Sequence, residues 1–142
     1  MPRRDASYWD LVELVNSAGA AIGGESGGTL NVGGTELPVK QAFANVAASQ
    51  TDAIVVAAVT AKKLRVVAAV FVAGATATTA VFNAKPGGAG AAISPLFANG
   101  PNGGAVLPYN PHGWFETTAG TGLSLTTGAG SATGVLVSYV EV

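Results

Sequence analysis

From Phe43 onward the chain runs as short apolar stretches broken by Gly, Pro, Asn and Thr. Stretches of that length between turn residues predict strands, at about 43–48, 52–59, 63–73, 76–84, 92–97, 104–108, 121–127 and 133–141. In the third of these, Leu64, Val66, Ala68, Val70 and Val72 alternate with Arg65, Val67, Ala69 and Phe71. Both sets are largely apolar, which predicts a strand covered on both sides. In the last strand, Val135, Val137, Tyr139 and Glu141 alternate with Leu136, Ser138 and Val140. The acid ending the odd set predicts that one face is at least partly exposed near the C-terminus. Eight strands spaced near ten residues apart predict an all-β fold, an eight-stranded antiparallel jelly-roll-like β-sandwich wrapped as two Greek keys. The widest loops are expected at residues 87–90 and 99–104, and no internal repeat of fixed period is present.

Residues 1–40 read differently. Tyr8, Leu11, Val12 and Val15 share a face at helical spacing, and Ser7 with Asp10 resembles a capping arrangement. The prediction is one short helix over 1–16. Two or three turns are marginal alone in water, so such a helix must dock on something. Gly19, Gly23, Gly24, Gly27 and Gly28 then make a flexible linker of roughly twelve residues. An amphipathic element on a tether is a latch onto its own domain or an arm reaching a neighbour, and the arm is preferred. Thr29–Val32 and Glu36–Val39 flank Gly33 and Gly34, a two-residue hairpin signal whose second strand Pro38 confines to an edge. The division expected is therefore an N-terminal helical or extended arm over 1–40 and a β-sandwich domain over 41–142.

The stretch from Leu107 to Thr117 stands apart by its side chains. It holds the chain's single His, His112, together with Tyr109, Trp114 and Phe115, in a sequence otherwise built from Ala, Val, Gly and Thr. Pro108 and Pro111 have fixed φ and no N–H, and Asn110-Pro111 and His112-Gly113 are turn dipeptides. A rigid loop between two strands is predicted. Two readings stand side by side: Trp114 and Phe115 plug one end of the sandwich, or Tyr109, His112 and Trp114 form a platform for a ligand.

Charge narrows the function classes. Charged residues make up 11% of the chain, against about 25% in typical domains. Between Val66 and Phe115 the only charged side chain is Lys85, so much of that surface is expected to lie against other protein. A net charge of −1 gives no reason to expect nucleic acid or an anionic membrane surface as partner. Asp10 and Glu13 interrupt the apolar residues near the N-terminus, against a signal peptide. The longest apolar run, Val66–Ala73, is far shorter than the ~20 residues of a membrane-spanning helix.

Catalytic raw material is thin. There is no Cys, and one His cannot make a zinc site. Neither a Gly-x-Ser-x-Gly nucleophile turn nor a phosphate-binding Gly-x4-Gly-Lys motif occurs, and Asp52, Glu116 and Glu141 are scattered. No catalytic residue, metal ligand or cofactor is expected. Lys62, Lys63 and Arg65 form a small basic cluster at a strand start. They either guard a very apolar strand in water or anchor the chain to an acidic patch on a partner.

Several blocks resemble small decoration, or cement, proteins of tailed-bacteriophage heads. They are Thr51–Ala58, Lys63–Ala68, Ala105–Thr117 and Leu136–Val142, so the likeness covers about two thirds of the chain, from Asn45 to Val142. The resemblance implies a non-enzymatic virion protein on the outer surface of the capsid. Its partners would be the major capsid protein and itself, as a homodimer or homotrimer. On this reading Tyr8, Trp9 and Leu11 of the arm and Lys62, Lys63 and Arg65 at the strand start are the expected partner contacts. The aromatic loop itself motivates a second class, a carbohydrate-binding β-sandwich module of a tail fibre or spike with Tyr109, His112 and Trp114 as a stacking platform.

Overall fold

The computed structural model describes residues 37–142. The predicted helix, the Gly-rich linker and most of the 29–39 hairpin lie outside the described residues, as do Tyr8, Trp9 and Leu11. Residues 37–39, expected in the hairpin's second strand, form no strand, and the first one begins directly after them.

Ten antiparallel strands and no helix make up the described residues. They are β1 (Lys40–Val46), β2 (Ala53–Val56), β3 (Leu64–Ala73), β4 (Thr78–Lys85), β5 (Ala91–Ala92), β6 (Phe97–Asn99), β7 (Gly104–Leu107), β8 (Phe115–Glu116), β9 (Gly122–Thr127) and β10 (Thr133–Glu141). One sheet has the order β1-β10-β3-β7, with β8 also on β3; the other has β2-β9-β4-β5, with β6 also on β4. Since β5 and β6 share one edge of β4 and β7 and β8 share one edge of β3, the ten strands occupy eight positions. That is the β-sandwich expected from the strand count, with two positions split.

Each split has a local cause. The strand expected at 92–97 is interrupted at Ser94-Pro95, where Pro95 has no N–H to donate. The Phe82 N–H, which a continuous neighbour would pair through a carbonyl, donates instead to Ser94 Oγ at 2.9 Å. On the other sheet, β7 ends before Pro108, and residue-by-residue strand pairing with β3 resumes at Phe115.

The alternation expected in β3 is corrected by a bulge. Ser138 pairs with Ala68 and Tyr139 with Val66, leaving Val67 as an extra residue on β3. Leu64 and Val66 therefore point inward with Ala69, Phe71 and Ala73, while Ala68, Val70 and Val72 point out. The strand is not covered on both sides by the described residues, because Val70 and Val72 remain exposed. On β10 the exposure expected for the acid-ended set near the C-terminus falls instead on Leu136 at mid-strand, with Ser138 half-buried on the same side; Val135, Val137 and Tyr139 face the core and Val140 is buried.

Four phenylalanines hold the two sheets together. Phe71 and Phe82 meet edge to face with ring centroids 5.8 Å apart, Phe97 sits 4.8 Å from Phe71, and Phe115 lies 5.0 Å from Phe82. Leu64, Val66, Leu123, Leu125 and Val137 close around them without solvent exposure. With so many Ala and Val, these rings carry much of the buried area. The fifth phenylalanine, Phe43, lies outside this core.

Candidate docking face and the loop beside it

Strand register brings four distant apolar residues into one line. Phe43 on β1 lies opposite Leu136 on β10, Leu136 opposite Val70 on β3, and Val70 opposite Val106 on β7. All four point away from the core, with exposures of 80, 41, 40 and 66% respectively. In the next row Val72 stands between Gly134 and Gly104, which have no side chain to raise it. The row on the other side holds Gln41, Ser138 and Ala68. None of these outward positions carries a charge, nor does Asn45 beside Gly134, so the middle of this sheet face is neutral; its charges, Arg65 and Glu116, stand together at one end.

The 108–114 loop closes one end of this face. Its backbone is fastened to β3, with the Asn110 N–H donating to the Val67 carbonyl and the Trp114 N–H to the Val66 carbonyl, both at 2.8 Å. Asn110 folds the turn onto itself, donating from Nδ2 to the Gly113 carbonyl at 2.9 Å and accepting the His112 N–H at 3.0 Å. Gly113 has φ +82°, and a Cβ there would collide with the Arg65 side chain, so both backbone and space require glycine.

The aromatic residues of this loop take different places. Phe115 enters the core, whereas Trp114 donates its indole N–H to the Pro108 carbonyl at 2.7 Å and stays 45% exposed. Tyr109 is 65% exposed, and His112 is exposed as well. The plug reading therefore applies to Phe115 alone. Arg65, His112, Gly113, Trp114, Phe115 and Glu116 line a depression of about 210 Å³, smaller than the roughly 300–1,000 Å³ of ordinary ligand pockets. Tyr109 does not line it.

Register also gives the basic cluster an acid that sequence spacing did not bring to it. Arg65 pairs with Glu116 across β3 and β8. The Glu116 carboxylate accepts from Lys63 Nζ at 2.9 Å and from Arg65 Nε and Nη2, each at 3.0 Å. Hydrogen bonds from Lys63 and then Arg65 hold the Glu116 carboxyl below its ordinary range. Lys40 is paired with Glu141 at 2.6 Å, and that hydrogen bond raises the Lys40 ammonium above its usual value. Of the predicted cluster, only Lys62 is left without an ion pair among the described residues.

The outer side of the second sheet is built differently. Asp52, in the left-handed region at φ 54°, is buried. Its Oδ2 accepts the Gly90 N–H at 2.7 Å and lies 3.7 Å from Lys85 Nζ, while its Oδ1 accepts from the Ser124 hydroxyl at 3.3 Å. Asn83 donates to Thr126 Oγ1 at 2.8 Å beside it. Gly90 sits so close that a Cβ would overlap the Asp52 carboxylate; the 86–90 turn thus roofs the polar network.

No group of three or more potential metal ligands occurs among the described residues. Asp52 and Glu116, the acids that would have to cooperate in a two-carboxylate mechanism, belong to separate ion pairs. The domain so described is an antiparallel β-sandwich with one outer face closed by its own polar network and one whose middle rows are neutral and open. Comparison with protein-family models, curated proteins and solved structures gives no match to this chain.

Proposed function

We propose that this chain is a non-enzymatic virion structural protein, a decoration protein that binds the major capsid protein lattice on the outside of a phage head and bridges capsomers. One observation carries the reading beyond the blocks that resemble such proteins: the described domain offers water almost no free charge. Seven of its eight Asp, Glu, Lys and Arg side chains are tied in ion pairs, leaving Lys62, and the middle rows of one sheet face have no charge at all. Such a surface suits a protein held among neighbours better than one dispersed in solution. The mechanism is area: a modest contact repeated over a lattice becomes a strong attachment. Lys62 at the strand start, and Tyr8, Trp9 and Leu11 in the N-terminal segment, are the residues assigned to capsid contact.

The test is mass spectrometry and imaging of gradient-purified particles made from the genome that encodes the chain. Stoichiometric chain with regular density outside the capsid is expected. Particles lacking it overturn the reading. Tyr109 and Trp114, exposed on one rigid loop, favour a second reading as a carbohydrate-binding module of a tail fibre or spike. Glycan-array binding lost with Trp114→Ala would support that reading, and a blank array would reject it.

A further inference from the structure

We infer that the Phe43–Leu136–Val70–Val106 face is where copies of this chain dock on one another, with Phe43 as the principal anchor. The inference deepens the reading of this chain as an assembling protein and rests on it.

Phe43 is the first ground. A core short of large side chains uses the other four phenylalanines to join its two sheets, yet Phe43 stands 80% exposed on an edge strand. In water that ring gains little, whereas buried aromatics are the commonest anchors of protein interfaces. Val106 stands out at the other end of the same row. In the next row Asn45 and Val72 flank Phe43 and Val70, while Gly134 and Gly104 leave gaps beside Leu136 and Val106.

Charge indicates the occupant. Every outward position in the rows through Gln41, Phe43 and Asn45 is neutral, and the nearest outward charges, Arg65 and Glu116, are paired with each other at one end of the sheet. Burial of those rows strands no ion and rewards no charged partner. A second copy presents an equally neutral and apolar surface, and it is present wherever the chain is made. Closed homo-oligomers are the prevailing form of soluble assemblies. Strand spacing and rise give the face a footprint of roughly 15 Å by 20 Å. That is less than the ~800 Å² per partner of a standard interface, so the neighbouring β1 and β7 edges must join the contact.

Sedimentation of the full chain over about 1–200 µM tests this, comparing the native sequence with Phe43→Ser and Val106→Ser. Ile54→Ser serves as control, because Ile54 is exposed on β2 of the other sheet. The native chain and the control are expected to sediment as the same oligomer. Both face variants are expected to shift to monomer, with unchanged circular dichroism and cooperative unfolding showing that the domain is intact. A native chain that stays monomeric throughout overturns the inference. So does an oligomer indifferent to Phe43→Ser and Val106→Ser, or one lost equally with Ile54→Ser. A monomer that is nonetheless found on particles would overturn this inference and leave the decoration reading standing; an oligomer never found on particles would do the reverse.

Discussion

The two outer faces of this sandwich solve the same problem in opposite ways. The second sheet turns Asn83, Ser124 and Thr126 outward and roofs them with the 86–90 turn, so Asp52 and Lys85 satisfy the polar atoms within one chain. The first sheet turns Phe43, Leu136, Val70 and Val106 outward and puts nothing from the described residues over them. A face that completes its own hydrogen bonds has no need of a partner. A face that leaves an aromatic ring and three aliphatic side chains in water is complete only when something covers it.

The sharpest break in this contrast is on the polar side. Asp52→Ala removes the acceptor of the Gly90 N–H and of the Ser124 hydroxyl and puts alanine at φ 54°. An unpaired buried donor combined with a left-handed alanine is expected to cost about 3 kcal/mol. Chemical denaturation measures it. Asp52→Asn keeps an acceptor in place and tolerates the same backbone, so its expected cost is nearer 1 kcal/mol. Equal losses in the two variants would mean that the charge, rather than the roofing of the turn, holds this face together.

One substitution made twice on one strand sharpens the other side. Val66→Thr buries a hydroxyl in the core between its cross-strand neighbours Tyr139 and Phe115 and is expected to cost about 2 kcal/mol. Val70→Thr, four residues on, puts the same hydroxyl on the open face and should change the unfolding free energy of the monomer by less than about 0.5 kcal/mol. If Val70→Thr costs as much as Val66→Thr, the first sheet's outer face is already buried in the species being measured.

That pair of valines also shows how far the sequence could be read. The eight strand positions follow from apolar runs and turn residues, and all eight are present. The phase within β3 does not, because Val66 to Val72 is apolar at every position, and alternation then carries no information about which side chain faces in. A single extra residue at Val67 exchanges the two sets. The open face was illegible for a related reason: its four members come from residues 43, 70, 106 and 136 and become neighbours only through strand order and register. Ser94-Pro95 did announce the break between β5 and β6, since proline cannot donate to a ladder. The loop's rigidity was legible in Pro108, Asn110 and Gly113. That it would divide Trp114 from Phe115 was not, as both are aromatic and adjacent.

The smallest expected effect lies where the open face meets the charged end of its sheet. The Glu116 carboxyl is held below its ordinary value of 4.5 by hydrogen bonds from Lys63 and then Arg65. A carboxyl lowered in the folded state binds fewer protons than its unfolded counterpart, so it stabilises the fold above the unfolded value. That contribution is lost as pH falls through the folded one. The three side chains are about one-third to one-half exposed, so screening keeps the contribution below about 1 kcal/mol. Glu116→Gln is therefore expected to lower stability slightly at pH 7 and to flatten its decline between pH 5 and 3, as read from denaturation midpoints across that range. Salt should shrink the difference between the two chains. The substitution touches neither the Phe43 row nor the Asp52 network. An oligomer governed by the open sheet face should keep its sedimentation in Glu116→Gln, whereas one held through the basic cluster would not, because freeing Lys63 and Arg65 from their acid changes what that cluster offers a neighbour.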